Sequence, residues 1–539
     1  TIRNCQQGVH LNACYRDIVC DITGGTIKDN SSYGVIGLAA NWGSPHKVTL
    51  TVTKANVFGN GYGVGLSGSV TANSSLKLDN GTNIHNNTHV GTFVESGSMN
   101  VGETANVDIV NNGERGAVVN NVHSTGTFNK ATITGNGNSS MTGAGIYTTG
   151  TISTTANTNV SNNKGLHGGG ICGDGNAVLN INGTQIRDNT ANGGGGGICS
   201  YGTLNLSGST LTGNTATGDG GAIWYKKGNI SGCGITGNTA NNIGGGVSLS
   251  HGTSTLTNNN IDNNKANDGG GMYTDGNLTI SSGTFSNNNA SGNGGGIISN
   301  GTITMNGGSI TGNYSGWDGG GVNSRSTFNF NGGAIQNNTA YWLGGNIHVQ
   351  AVDNINNKQS VFTVTSKNPI SGGKAERSGG GGVCVYGTGA KLILNDGTSV
   401  KDNTAPTGGG INGNATIEMH NATISGNKAT SNNGGGIELF SDQYGTGSFK
   451  MTSGTIENNT AASEGGGFHG PNFTMTGGTI QKNNAGTVAG GVLVNGTGAC
   501  SMSGGTITNN TSTYSGGGLW VDDNTPFTMG GGTISNNKA

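Results

Sequence analysis

The sequence predicts an all-β fold: a right-handed parallel β-helix of about 20 coils, each about 25 residues long and made of three short strands. Three observations predict it. An apolar residue followed three places later by Asn recurs with most gaps between 24 and 27 residues, from Ile27 with Asn30 to Ile534 with Asn537. A glycine-rich step, Gly294-Gly295-Gly296-Ile297 in its fullest form, recurs with its apolar residue at Ile171, Ile198, Ile223, Val247, Met272, Ile297, Val322 and Ile347, and less evenly from Val383 to Leu519. The composition is the third. Of 539 residues 109 are Gly, only 31% are hydrophobic and 9% charged, with a net charge of −2. That is too little Leu and Phe for a thick globular core, and too little charge for the usual route to disorder. A core one side chain deep, repeated many times, fits both.

The apolar–Asn step is the ruler. It has 20 copies, of which 19 carry the Asn: Asn30, Asn60, Asn87, Asn112, Asn136, Asn163, Asn189, Asn214, Asn238, Asn264, Asn288, Asn313, Asn338, Asn403, Asn427, Asn459, Asn483, Asn510 and Asn537. Only Ile370 departs, with Gly373 in that place. Inward Ile and Val stack on their own copies in neighbouring coils. The Asn column then forms a ladder, because a buried amide without partners costs about 1–3 kcal/mol and the next coil supplies one. The glycines admit positive φ at a tight corner. Between the two steps lies a third alternating stretch, such as Leu204-Asn205-Leu206 or Leu278-Thr279-Ile280. Such a unit exceeds the roughly 18 residues of a left-handed hexapeptide coil. Coils stacked about 4.8 Å apart predict a rod of roughly 95 Å.

Residues 1–20, with Cys5, Cys14 and Cys20, read as an N-terminal cap or a first coil. Residues 21–150 read as irregular coils in which the glycine step is eroded, and 151–539 as regular coils. Insertions near 352–367 and 441–449 are expected to leave the stack as loops. Ile2 lies in phase with Ile27, so the chain starts and stops at nearly the same point of the repeat. Either it is a piece of a longer protein, as a start at Thr1 suggests, or copies stack end to end into filaments. No apolar run spans a membrane, and the near-zero charge argues against nucleic acid. The eight cysteines include no CxxC pair, so no zinc site is expected, and no metal or other cofactor is assigned.

The paired motifs resemble those of the chlamydial polymorphic membrane proteins and related bacterial adhesin-like β-helix proteins. Gly220-Gly221-Ala222-Ile223 and Phe285-Ser286-Asn287-Asn288 match that pattern literally. The resemblance implies a secreted or cell-surface β-helix with adhesive or structural work, whose partners are host glycans, surface proteins or further copies of itself. The chain ends just after a repeat, without the family's C-terminal barrel.

Candidate sites are few. Alternation along a strand predicts that the residue after each glycine step faces outward. That column runs Cys172, Cys199, Trp224, Ser248, Tyr273, Ile298, Asn323, His348, Cys384, Asn412, Glu438, His469, Leu493 and Trp520. Cys172 and Cys199 share a register on adjacent coils, as a disulfide or as stacked thiols. Trp224, Tyr225 and Tyr273 on that face, and Trp317, Tyr341 and Trp342 in corner loops, either stack on sugar rings or simply fill surface grooves. A polysaccharide-cleaving β-helix needs clustered carboxylates. Arg325, His348 and Glu438 make no dense cluster, and Asp522-Asp523 stands alone, so no catalytic residue is assigned and the chain is read as non-enzymatic. Twenty-one Asn-x-Ser/Thr sequons occur, Asn73, Asn182, Asn300, Asn421 and Asn472 among them. They are glycan acceptors in a eukaryotic secretory setting or a by-product of composition. Those in the ladder (Asn30, Asn313, Asn510) are expected to face inward and stay bare.

Overall fold

The computed structural model describes residues 1–39, 46–68, 73–351 and 359–539. The described residues are strand, turn and bend throughout, a parallel β-solenoid of about twenty turns. The chain falls into two compact units, Thr1–Thr255 and Leu256–Ala539.

A coil of the second unit shows the plan. Ile297–Ser299 follows the glycine step, Ile303–Met305 is the middle strand, Ser309–Thr311 carries the ladder, and Tyr314–Ser315 comes after it. Each pairs in register with its copy one coil on: Ile297 with Val322, Ile303 with Phe328, Ile310 with Ile335, Ser315 with Ala340. The expected three strands are thus four. The extra strand is only two residues long and begins at Lys164–Gly165. Its signal is the tripeptide Asn-Thr-Ala, as at Asn189-Thr190-Ala191 and Asn338-Thr339-Ala340. The Ala is buried, and the backbone just before it lies against the glycine step: a Cβ on Gly320 would stand 2.4 Å from the Thr339 carbonyl.

The ladder runs from Asn30 to Asn238 in the first unit and from Asn264 to Asn537 in the second. Each Nδ2 donates to the next Oδ1 at 2.8–3.2 Å. The backbone N–H of Asn313 donates to the same oxygen, and its second Nδ2 proton goes back to the Phe285 carbonyl at 2.9 Å. Two donors and two acceptor sites are all an amide has, so an inner rung such as Asn313 is saturated. Asn30, Asn313 and Asn510 are buried as expected.

The residue ahead of every ladder position lies in the left-handed region, with φ from 52° at Asn287 to 69° at Gly135. That explains a column of Gly, Asn and Asp beside the ladder, since only these take that conformation at little cost. Lys482, at φ 54°, is the exception. Lys482→Asn is expected to raise stability by about 0.5–1 kcal/mol, read as a higher denaturant midpoint at unchanged m-value.

Within the glycine step only the first glycine needs positive φ, 65° at Gly294. The other two need space: a Cβ on Gly296 would stand 2.6 Å from the Gly321 carbonyl and 3.1 Å from Asn313 Nδ2.

One expectation about organisation is met in its second form, and two are revised. Residues 1–20 form a coil rather than a separate cap: Ile2 pairs with Ile27, Val9 with Val35, Ile18 with Val48, and Cys5 N–H donates to Asn30 Oδ1. Of the insertion at 352–367, residues 352–358 lie outside the described residues. Ser360–Val364 is not loop but a middle strand, paired with Phe328–Phe330 and Ala390–Leu394. The insertion at 441–449 is an antiparallel hairpin, Ser441–Asp442 with Gly445–Thr446, and the chain is back in register by Ser448–Met451. Tyr386 and Asn414 pin the hairpin down, donating to the Asp442 carboxylate at 3.0 and 2.7 Å.

Candidate functional site

The column after the glycine step is continuous, as expected, but it does not face solvent. In the second unit Ile298, Asn323, His348, Cys384, Asn412, Glu438, His469 and Leu493 are all buried, as are Cys172, Cys199 and Ser248 in the first; Trp224, Tyr273 and Trp520 are half-buried. These side chains do point away from the coil interior, as alternation requires. The corner between the two-residue strand and the glycine step then folds back over them. Asp318 comes within 3.6 Å of His348 Nδ1, and Glu464 within 3.5 Å of His469 Nε2. Alternation fixes the side a residue leaves from, not what the loops do beyond it.

Roofing concentrates the chain's chemistry in the second unit. His348 Nδ1 lies 3.2 Å from Asn323 Nδ2 on the preceding coil. Burial pushes the imidazole pKa down, Asp318 opposes this, and the Arg325 guanidinium adds to it. Cys384, next in the column, is held well above an ordinary thiol by burial. Glu438 Oε2 and His469 Nδ1, on adjacent coils, are 2.9 Å apart. Burial pushes the Glu438 carboxyl up, His469 pulls it back, and Glu464 adds to the rise. This pair sits in a cleft of about 290 Å³ shared with Phe440, Ser441, Pro471 and Asn495. It is a buried carboxyl–imidazole pair beside a hairpin. A second carboxylate, Glu464, stands across the imidazole ring, 3.5 Å from His469 Nε2. Among the described residues no group of three or more His, Cys, Asp or Glu is arranged to hold a metal ion.

The pH dependence follows. Folding weakens proton binding at His348, so the unfolded chain holds more protons below the ordinary value of 6.5, and stability falls as pH drops through it. Glu438 acts oppositely: its contribution is complete below 4.5 and is lost as pH rises through its raised folded value. Thermal midpoints are expected to fall between about pH 7.5 and 5.5, and to fall less in His348→Asn.

The remaining candidates scatter. Cys172 and Cys199 are register partners but free thiols, not a disulfide. In-register parallel neighbours hold their Cβ atoms about one strand spacing apart, near 4.8 Å, whereas a disulfide needs about 3.8 Å. A hydrogen bond with Cys199, then burial, hold the Cys172 thiol well above its ordinary value. Alkylation of the native chain is expected to mark exposed Cys5 and spare this pair. After unfolding without reductant, mass spectrometry is expected to find both as alkylated thiols.

Tyr225, expected on the surface, is wholly buried, its hydroxyl donating to Ser254 Oγ at 2.6 Å. Trp224 is half-buried beside Tyr201, centroids 4.9 Å apart, in a cleft with His167, Asp219 and Asn242. Tyr273 is half-buried, its hydroxyl accepting from Asn300 Nδ2. Trp317 and Trp342 are exposed on adjacent coils, and Tyr341 meets Trp342 edge-on at 5.6 Å. Asn73 and Asn182 are exposed sequons. Asn300 and Asn472 are partly buried with Nδ2 already donating, and exposed Asn421 donates to Asp396.

Sequence reasoning missed an aromatic cleft among residues read as irregular. Its signal was there: Tyr33-Gly34-Val35 recurs as Tyr62-Gly63-Val64. Comparison with protein-family models, with curated proteins and with solved structures finds no match to this chain.

Proposed function

We propose that this chain is a non-enzymatic β-helical scaffold of the cell surface or extracellular space, working as an adhesin, stalk or fibre subunit. The polymorphic-membrane-protein-like repeats point the same way. The observation that supports it best is where the reactive side chains lie. His348, Cys384, Glu438 and His469 are buried, with His348 against Asn323 and Glu438 against His469 in the column, while the coils turn short Asn, Ser and Thr side chains outward. A surface of that kind resists chemistry and presents a few exposed aromatics, Trp317 and Trp342 among them, as contacts. The test pairs two assays on the purified chain. Beads coated with it are expected to bind cell monolayers, and incubation with a panel of polysaccharides is expected to release no new chain ends.

A carbohydrate-cleaving β-helix is the second reading, favoured by the Glu438–His469 pair opening into a cleft. Cleavage of any polysaccharide that Glu438→Gln abolished would overturn the scaffold reading in its favour.

A further inference from the structure

In the first unit Tyr33 and Tyr62 are register partners, their rings stacked with centroids 5.1 Å apart at 25°. One coil on, Phe93 lies in register with Gly65, and its ring occupies the space a Cβ at Gly65 would need. Phe93 meets Tyr62 edge-on at 5.8 Å and 69°. These rings wall a cleft of about 210 Å³. That volume equals roughly seven waters, or one six-membered sugar ring. The opposite lining is polar: Glu95, Glu114, Arg115 and Asn120.

The charged groups are fixed in direction by second contacts. Glu114 pairs with His89 Nδ1 at 2.9 Å, and the Ser67 hydroxyl donates to Glu95. Arg115 donates through Nε to the Thr142 carbonyl at 2.8 Å and lies over the Tyr147 ring at 4.6 Å. Burial, with Glu114, Tyr33 and Glu95 adding to it, pushes the Tyr62 hydroxyl up, so it keeps a proton to donate.

A pyranose has a C–H face that stacks on aromatic rings and a rim of hydroxyls that donate and accept. Here acceptors (Glu95, Glu114) and donors (Arg115, Asn120, the Tyr62 hydroxyl) stand around an apolar wall. Two carboxylates against one guanidinium disfavour an acidic sugar. A cationic ligand is disfavoured because Glu114 is already paired and Arg115 adds like charge. We propose that this cleft binds one neutral pyranose residue at the end or branch of a surface glycan. The inference rests on the adhesin reading and names its ligand class.

Saturation-transfer NMR on the whole chain tests it, with methyl glucoside, galactoside and mannoside as probes, and sialic acid and tetramethylammonium as comparators. At least one hexoside is expected to receive saturation on its ring protons. Tyr62→Ala and the isosteric Glu114→Gln are each expected to weaken binding about tenfold, with the thermal midpoint of Glu114→Gln unchanged. Silence from every hexoside, a response from a comparator instead, or parental binding by both variants would overturn it. Beads that adhere to cells while no hexoside responds sink the cleft and leave the adhesin reading standing. Hexoside binding without adhesion does the reverse.

Discussion

Asn313→Ala is expected to destabilise its neighbourhood by about 4 kcal/mol, although it deletes only one small polar side chain. The loss comes from what it orphans. Asn288 loses the acceptor for both its backbone N–H and its Nδ2, bonds of 2.9 and 3.0 Å. The Phe285 carbonyl and Asn338 Oδ1 each lose a donor at 2.9 Å. All of these groups are buried, and each costs about 1–3 kcal/mol when left unpaired, partly relieved by relaxation. Because neighbouring coils stabilise each other in a repeat stack, the effect is expected to be local. Hydrogen exchange should show lost protection centred on residues 285–340. Asn306→Ala is the control: its side chain is exposed, and the change is expected to stay within about 0.5 kcal/mol. Equal effects at the two sites would sink the ladder as a source of stability.

The second large effect is a coupling. Elsewhere the third glycine of the step faces the ladder amide of its own coil, as Gly321 faces Asn338 and Gly382 faces Asn403. In one coil the occupants are exchanged: Asn346 stands in the glycine place and Gly373 in the ladder place. The missing rung is therefore present, delivered from the opposite side. Asn346 Oδ1 accepts from Asn338 N–H and Nδ2 at 3.2 and 2.9 Å, and its Nδ2 donates to the Ser371 carbonyl and to Asn403 Oδ1. A Cβ on Gly373 would stand 2.2 Å from the Gly381 carbonyl and 2.5 Å from Asn346 Nδ2. Asn346→Gly alone leaves a gap in the ladder and is expected to cost about 3 kcal/mol. Gly373→Asn alone forces two amides into one slot and is expected to cost about 2 kcal/mol or more. The double change refills the ladder and removes the clash between the two amides, leaving only the Gly381 carbonyl to give way, so it is expected to cost less than the two single changes summed, a favourable coupling of about 2 kcal/mol or more. Additive losses in urea titrations would refute the exchange.

Much of this was legible in the sequence because a column repeated twenty times reveals its own spacing. Ile27 to Ile534 gave the coil, and Asn30 to Asn537 the ladder, without any neighbour being known. What failed to show depends on neighbours in space. The roof over His348 and Glu438 is made by corners whose path alternation does not specify. Asn346 stands 27 residues before Gly373, so reading down the ladder column alone returns a gap. The Thr-Ala strand is too short for any periodicity. Tyr33, Tyr62 and Phe93 lie where the glycine step is eroded, and Tyr-Gly-Val occurs only twice, too few copies to define a column.

The ladder also gives each unit a direction. Within each unit the rungs point the same way: from Asn30 to Asn60, and on from Asn264 to Asn288, Nδ2 donates to the oxygen of the following coil. Amide dipoles so aligned add along the stack instead of cancelling as they do across a sheet, each polarising the next. Oxygen therefore looks back along the chain and N–H looks forward at every rung. A coil arriving inverted would set oxygen against oxygen or hydrogen against hydrogen in a site closed to water. Growth of such a stack, whether by the folding chain or by a second copy, is vectorial: it proceeds head to tail or not at all.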